Sequence, residues 1–134
     1  VVPAVHWRAG MRASLSAGLA ACGPGSVLLT HVDRPFVRRQ TLKKMIAFAG
    51  EKPVFPIYQG RIGHPVLLPP HLRAALKTTE DIPLERMLRG RAPRLISVDD
   101  PGVITNLNRP QDYGLAEALF GKLPRSACID ANGA

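Results

Sequence analysis

Apolar residues recur at Met11, Leu15, Leu19 and Cys22, the spacing of one helical face, and Gly23-Pro24-Gly25 follows as a stop, which predicts a helix over 11–22. Ser26 to Val32 reads SVLLTHV, a short β-rich run bounded by turn residues on one side and by Asp33-Arg34-Pro35 on the other, and predicts a buried strand. Leu42, Met45, Ile46 and Ala49 then restore the i, i+3, i+4, i+7 spacing of a helix ahead of Gly50. Two strand-like runs, 53–58 and 64–68, are separated by Gln59-Gly60-Arg61-Ile62-Gly63, a loop of hairpin size, so this pair is expected to be antiparallel. Short helices over 71–77 and 84–89 come next, the second entered through Pro83 and stopped by Gly90. Residues 94–98 predict another strand, Asp99-Asp100-Pro101-Gly102 a turn, and 103–107 a further short strand. Pro110 opens a last helix that carries Tyr113, Ala116, Leu119 and Phe120 and closes at Gly121. Val1 to Val5, interrupted by Pro3, suits an edge position. Helices interleaved with β-rich runs indicate an α/β layered domain with a mainly parallel sheet and an antiparallel hairpin insertion, occupying 1–121 and followed by a loose tail over 122–134.

Composition narrows the function classes. The 134 residues suit one domain or part of one, and 46% hydrophobic against 21% charged residues excludes wholesale disorder. No apolar run approaches the roughly 18 to 20 residues of a membrane span and no signal-peptide pattern opens the chain, so a cytoplasmic location is expected. Cys22 and Cys128 fit a reducing compartment better than a disulfide framework. The formal charge of +8 raises the question of nucleic acid. Arg34, Arg38, Arg39, Lys43 and Lys44 form one basic stretch, and Arg86, Arg89, Arg91 and Arg94 another, but neither has interleaved aromatics. With one Trp, two Tyr and four Phe in the whole chain there is no platform for base stacking, so solvated helix faces are the favoured reading and a nucleic-acid partner is disfavoured.

Candidate chemistry is sparse. Asp33 directly follows a buried-looking strand, and open α/β sheets bind ligands outside the carboxyl ends of their strands. A carboxylate there suits Mg²⁺, although a solvated turn Asp ahead of Pro35 explains the same residue. For His31 a hydrogen-bonded strand histidine is the simpler assignment. Asn106 and Asn108 bracket Leu107, so on an extended segment both point to one face, where amide oxygens can ligate Mg²⁺; alternatively Asn108 caps the helix entered at Pro110. His64, in Gly63-His64-Pro65, stands in a cleft or in an ordinary turn. No G-x-G-x-x-G, Walker-type phosphate loop, zinc spacing or G-x-S-x-G pattern occurs.

Taken together, the order of segments resembles a known family. Gly10-Met11-Arg12-Ala13-Ser14-Leu15-Ser16-Ala17-Gly18-Leu19 resembles the GM-x-x-SL-x-x-GL segment of the MobA-like NTP transferases, particularly their molybdenum-cofactor cytidylyltransferase branch. VLLTHVDRPFV (27–37) is similar to the family's strand and D-x-P-x-V, Gly63 to Leu67 to its GHPVL, VDDPGV (98–103) to a late strand and turn, and NLNRPQDY (106–113) to its closing D-I-D-T-P-E-D-Y. The resemblance spans about Val1 to Phe120. It implies a Rossmann-like nucleotidyltransferase fold that transfers NMP from CTP or GTP to a molybdopterin-type acceptor with Mg²⁺. It places Asp33 at the catalytic metal-binding aspartate and Asn106 or Asn108 at the second metal-site residue. Gly10, Met11 and Ser14 then line the nucleotide or acceptor crevice, and His64 lies near the acceptor.

Two departures shape what is expected. The family's opening Gly-rich L-A-A-G-x-S-x-R-x-G loop and its Lys have no counterpart ahead of Val1, so the chain is expected to be a partial domain, weakly active or inactive alone, with a sheet edge through which it forms a homo-oligomer. Asn106 and Asn108 stand where the cytidylyltransferase branch has Asp, a feature similar to the guanylyltransferase branch. A non-catalytic module of the same ancestry, binding a nucleotide, a pterin or a protein, is the alternative reading.

Overall fold

The computed structural model describes residues 10–76 and 84–121, with residues 3 and 8. The expectations for the rest of Val1–Val5, for Pro83 and for the tail over 122–134 lie outside the described residues. The described residues form, in chain order, α1 (Met11–Ala21), β1 (Val27–Leu29), α2 (Arg39–Ala47), β2 (Val54–Tyr58), β3 (Arg61–Ile62), β4 (Val66–Leu68), α3 (Leu72–Ala75), α4 (Leu84–Arg89), β5 (Arg94–Ser97) and α5 (Pro110–Phe120).

The sheet is mixed. β4 pairs antiparallel with β1 (Leu28 opposite Leu67) and with β2 (Val54 opposite Leu67), β3 pairs antiparallel with β2, and β5 runs parallel to β2 from Val54 to Ile57. This corrects the expectation of a mainly parallel sheet. β1, β2 and β5 share one direction, but the arm formed by β3 and β4 runs against them between β1 and β2, so three of the four pairings are antiparallel. The hairpin is also tighter than expected. Gln59 and Gly60, with φ of 47° and 74°, make a two-residue turn whose positive dihedrals match strand twist.

Between β3 and β4 the arm gains two residues relative to β2, absorbed at Gly63-His64-Pro65. The cause lies across the pairing. Pro56, in the middle of β2, has no amide hydrogen to donate, while its carbonyl oxygen accepts from the Gly63 amide at 2.9 Å. A strand residue turns its N and its C=O to the same edge, so the missing donor faces the arm, and the arm bulges there.

Strand alternation divides the core in two. Phe55, Val66 and Leu68 point to one face and pack with Leu19 of α1, Leu72 of α3 and Leu88 of α4; Val54, Leu67 and Ile96 point to the other and pack with Met45 of α2, Val98 and Val103. Helices therefore cover both faces. α2 starts at Arg39, before the apolar repeat that predicted it, and ends at Ala47 with Phe48 as its cap, so Gly50 is not its terminator. Arg73 of α3 donates to the carbonyls of Leu19, Cys22, Gly23 and Gly25, supplying a cation to the open C-terminal end of α1. Cys22 lies just past α1 and is exposed instead of extending its apolar face.

The expected strand over 103–107 is absent. Pro101 to Val103 form a single 3₁₀ turn, because the Asp100 carboxylate accepts from the Gly102 amide at 2.9 Å and curls the chain after β5. α5 then begins at Pro110, and its N3 residue Asp112 accepts from the amides of Asn108 and Arg109 at 2.9 and 2.8 Å. Asp112, not the Asn108 side chain, thus supplies the cap.

Candidate functional site

β1 and β5 run in one direction, so the loops after Leu29 and after Ser97 leave the sheet at the same edge. The first of these loops turns sharply. The Arg34 amide donates to the His31 carbonyl at 3.2 Å, which puts Val32 and Asp33 at the corners of a turn and leaves Val32 99% exposed. This turn cuts the predicted strand at Leu29. One wall of a cleft of about 460 Å³ is formed by Leu29, Thr30, His31, Val32 and Asp33, and the other by Met11, Ser14 and Leu15 of α1 with Asn108.

The second loop holds the first. Leu107 donates its amide to the Asp33 carbonyl at 2.8 Å, and the Arg34 guanidinium donates to the Val103 carbonyl at 2.9 Å. The same Val103 carbonyl accepts from the His64 amide at 2.8 Å. Close approach requires glycine at two places: a Cβ on Gly102 would stand 2.3 Å from the Phe36 carbonyl oxygen, and one on Gly63 would stand 2.4 Å from the Val103 carbonyl oxygen. The Phe36 ring stacks on Phe120 of α5 at 4.5 Å between centroids.

Met11, Ser14, Asp33 and Asn108 therefore share the cleft. Gly10 is the N-cap of α1 with φ of 99°, at the cleft's margin and not among the residues that line it. His64 joins through a neighbour: its ring meets that of His31 edge-on, 4.4 Å between centroids. Asn106 turns away from Asn108 and borders a separate hollow of about 560 Å³ beside Tyr58, Arg61 and Leu115. The two amides do not present one common face to the cleft, because the segment after the 3₁₀ turn is not an extended strand. Sequence reasoning missed Thr30 and Leu29 as lining residues, and the only available signal was the strand-to-loop position they share with Asp33.

Asp33 Oδ1 and Asn106 Oδ1 are both buried and neither has a hydrogen-bond partner. These are two acceptors without donors, on segments joined by the Leu107–Asp33 bond, and a buried acceptor left unmet costs about 1 to 3 kcal/mol. Within the cleft itself the oxygen donors are the Asp33 carboxylate and the Asn108 amide, a set that suits a hard cation with retained waters such as Mg²⁺. It does not fit a soft metal. Among the described residues no group of three or more His, Cys, Asp and Glu side chains could hold an ion.

Part of the positive charge also bridges segments of the fold. Arg38 and Lys44 stay exposed, as the solvated-face reading expects, while donating to the carbonyls of Asp99 and Ser97; Arg34 is half-buried and donates to the Val103 carbonyl. They tie the chain around α2 to the end of β5. No described helix is long and apolar enough to cross a membrane.

A mixed α/β sheet with a carboxylate-bearing cleft at the carboxyl end of its strands defines a nucleotidyltransferase-like domain once its relatives are considered. Residues 1–96 match the MobA-like NTP transferase domain, and the chain belongs to that family. It is 34% identical over 110 residues to a molybdenum cofactor guanylyltransferase of Ectopseudomonas mendocina, an alignment that covers 76% of this chain and 53% of the relative. Among solved structures it is similar to the Mycobacterium tuberculosis rv0371c homolog from Mycobacterium sp. strain JC1, with a TM-score of 0.68 at 23% identity, over 79% of this chain and 56% of that one; this likeness is one of fold. The chain spans about half the length of both.

Proposed function

We propose that the cleft is the metal- and phosphate-handling side of a nucleotidyl transfer, in which NMP passes from GTP or CTP to a molybdopterin-type acceptor and pyrophosphate leaves. The observation that carries this reading is that Asp33, whose buried Oδ1 accepts no hydrogen bond, and Asn108 line one cleft at the end of β1. In such a transfer an acceptor phosphate oxygen bonds to the α-phosphorus while the bond to the pyrophosphate oxygen breaks. A bound Mg²⁺ would neutralise charge on the triphosphate. Asp33, with Asn108 beside it in the cleft, would hold it. Met11 and Ser14 form the opposite wall and limit how a substrate enters, Gly10 opens the helix that carries them, and His64 backs the cleft through His31. The two Asn residues and the identity to a guanylyltransferase support GTP over CTP.

Mn²⁺, read by electron paramagnetic resonance, tests the metal part directly. The chain is expected to bind it, and Asp33→Ala to weaken binding by about tenfold or more. Equal affinity in the two proteins would remove Asp33 from the metal site. Pyrophosphate release with molybdopterin and Mg²⁺ tests the chemistry: turnover is expected to be faster with GTP than CTP and to be lost in Asp33→Ala. Turnover that survives the substitution would place the reaction elsewhere.

A further inference from the structure

Asp100 is 1% exposed, and its two oxygens join the turn after β5 to the N-terminus of α2. Oδ1 accepts from the Gly102 amide at 2.9 Å; Oδ2 accepts from the Arg38 amide at 2.8 Å and from the Thr41 hydroxyl at 2.6 Å. Arg38 is the N-cap of α2 and ends the loop that begins at Asp33, and Thr41 is the helix's third residue, itself buried. No side chain of α2 caps its own N-terminus, so the carboxylate reaching in from the end of β5 takes that place. The 3₁₀ turn that Asp100 shapes carries the Val103 carbonyl, on which Arg34 and the His64 amide converge, and leads on to Leu107, which holds the Asp33 carbonyl. One carboxylate thus fixes the far end of the Asp33 loop and also the turn that grips its near end.

We propose that Asp100, with Thr41 as its partner, is a positioning residue that sets Asp33 for metal binding; this rests on the reading of Asp33 as a metal ligand given above. Burial of a carboxylate is costly, and here three charge-assisted hydrogen bonds offset it. Their loss frees the loop at both ends while the sheet and the core cluster around Phe55, which holds no residue of the Asp100 turn, stay packed.

The test uses three variants of the whole chain. Thr41→Val removes one hydroxyl at constant shape, Thr41→Ser restores it, and Asp100→Asn keeps the volume but turns one acceptor into a donor. Amide hydrogen exchange reports on the loop without any metal. In Thr41→Val and Asp100→Asn, exchange at Arg34 and Arg38 is expected to quicken at least about tenfold while Phe55 and Ile96 keep their protection. Mn²⁺ affinity is expected to fall by about tenfold in the same two proteins and to return in Thr41→Ser. Unchanged exchange in residues 34–38 overturns the positioning role whatever the metal result. Quickened exchange with unchanged Mn²⁺ affinity also overturns it, reducing Asp100 to a structural cap. If Asp33→Ala leaves Mn²⁺ binding intact, the metal reading has failed, and the exchange data still decide whether Asp100 holds the loop.

Discussion

At the scale of single residues, atoms that lack something explain more of this site than atoms that have it. Gly102 and Gly63 lack a Cβ because backbone oxygens already stand where one would be, and Pro56 lacks the amide that its neighbouring arm would use. Gly102→Ala is expected to destabilise the fold by about 1 to 3 kcal/mol, since the clash is with backbone and cannot be relieved by a rotamer change. Urea unfolding measures this, and a loss below a few tenths of a kcal/mol would mean that the Phe36 segment gives way freely. Asp33 was legible in the sequence because it follows a β-rich run and sits in a recognisable D-x-P. Asp100 was not, because a turn Asp ahead of Pro-Gly reads as a solvated residue, and two of its three donors, Arg38 and Thr41, are 62 and 59 residues away in the chain.

At the scale of elements, helices were easier to read than strands. α1 and α5 follow from apolar spacing, Gly and Pro, and each ends within a residue or so of expectation. β1 is shorter than its apolar run because the His31–Arg34 turn intervenes, and the stretch 103–107 fails as a strand because Asp100 curls the chain before it. Strand direction departs from the expected parallel order for a further reason. Helices lie between β1 and β2 and between β4 and β5, as in parallel crossovers, but the tight Gln59-Gly60 turn inserts a returning arm that separates β1 from β2. That turn also offers a stabilising change. Gln59 holds φ of 47°, a region that Asn occupies more readily, so Gln59→Asn is expected to add roughly 0.5 to 1 kcal/mol without touching the cleft. A lower midpoint in urea would show that the Gln59 contact with the Tyr58 hydroxyl, at 3.2 Å, matters more than the dihedral.

At the scale of the molecule, two cores on two faces of one sheet predict unequal consequences for the site. Leu88 of α4 is fully buried in the cluster with Phe55, and Leu88→Ala is expected to cost about 2 to 5 kcal/mol in global stability. Val103 and Met45 belong to the other cluster, against which the loop after β5 is laid. Met45→Ala is therefore expected both to destabilise and to quicken amide exchange at Leu107, whereas Leu88→Ala at equal stability should leave Leu107 protected; equal exchange in both would show that the two faces behave as one unit. The edge of β1 that faces away from β4 has no strand partner among the described residues. Concentration-dependent association is thus expected in light scattering, and a strictly monomeric chain would mean that this edge is covered.

The bulge opposite Pro56 has a consequence for alignment. If the arm slid by one residue along β2, a regular pair would fall where Pro56 offers no hydrogen and Gly63 would leave the one place where its bare α-carbon clears Val103. Proline on one strand and glycine on the other therefore act as a key and its notch, admitting a single setting of the sheet. Because His64 sits in the same bulge, that setting also fixes its ring against His31, so a feature whose cause is the chemistry of an imino acid indexes one wall of the cleft to the rest of the fold.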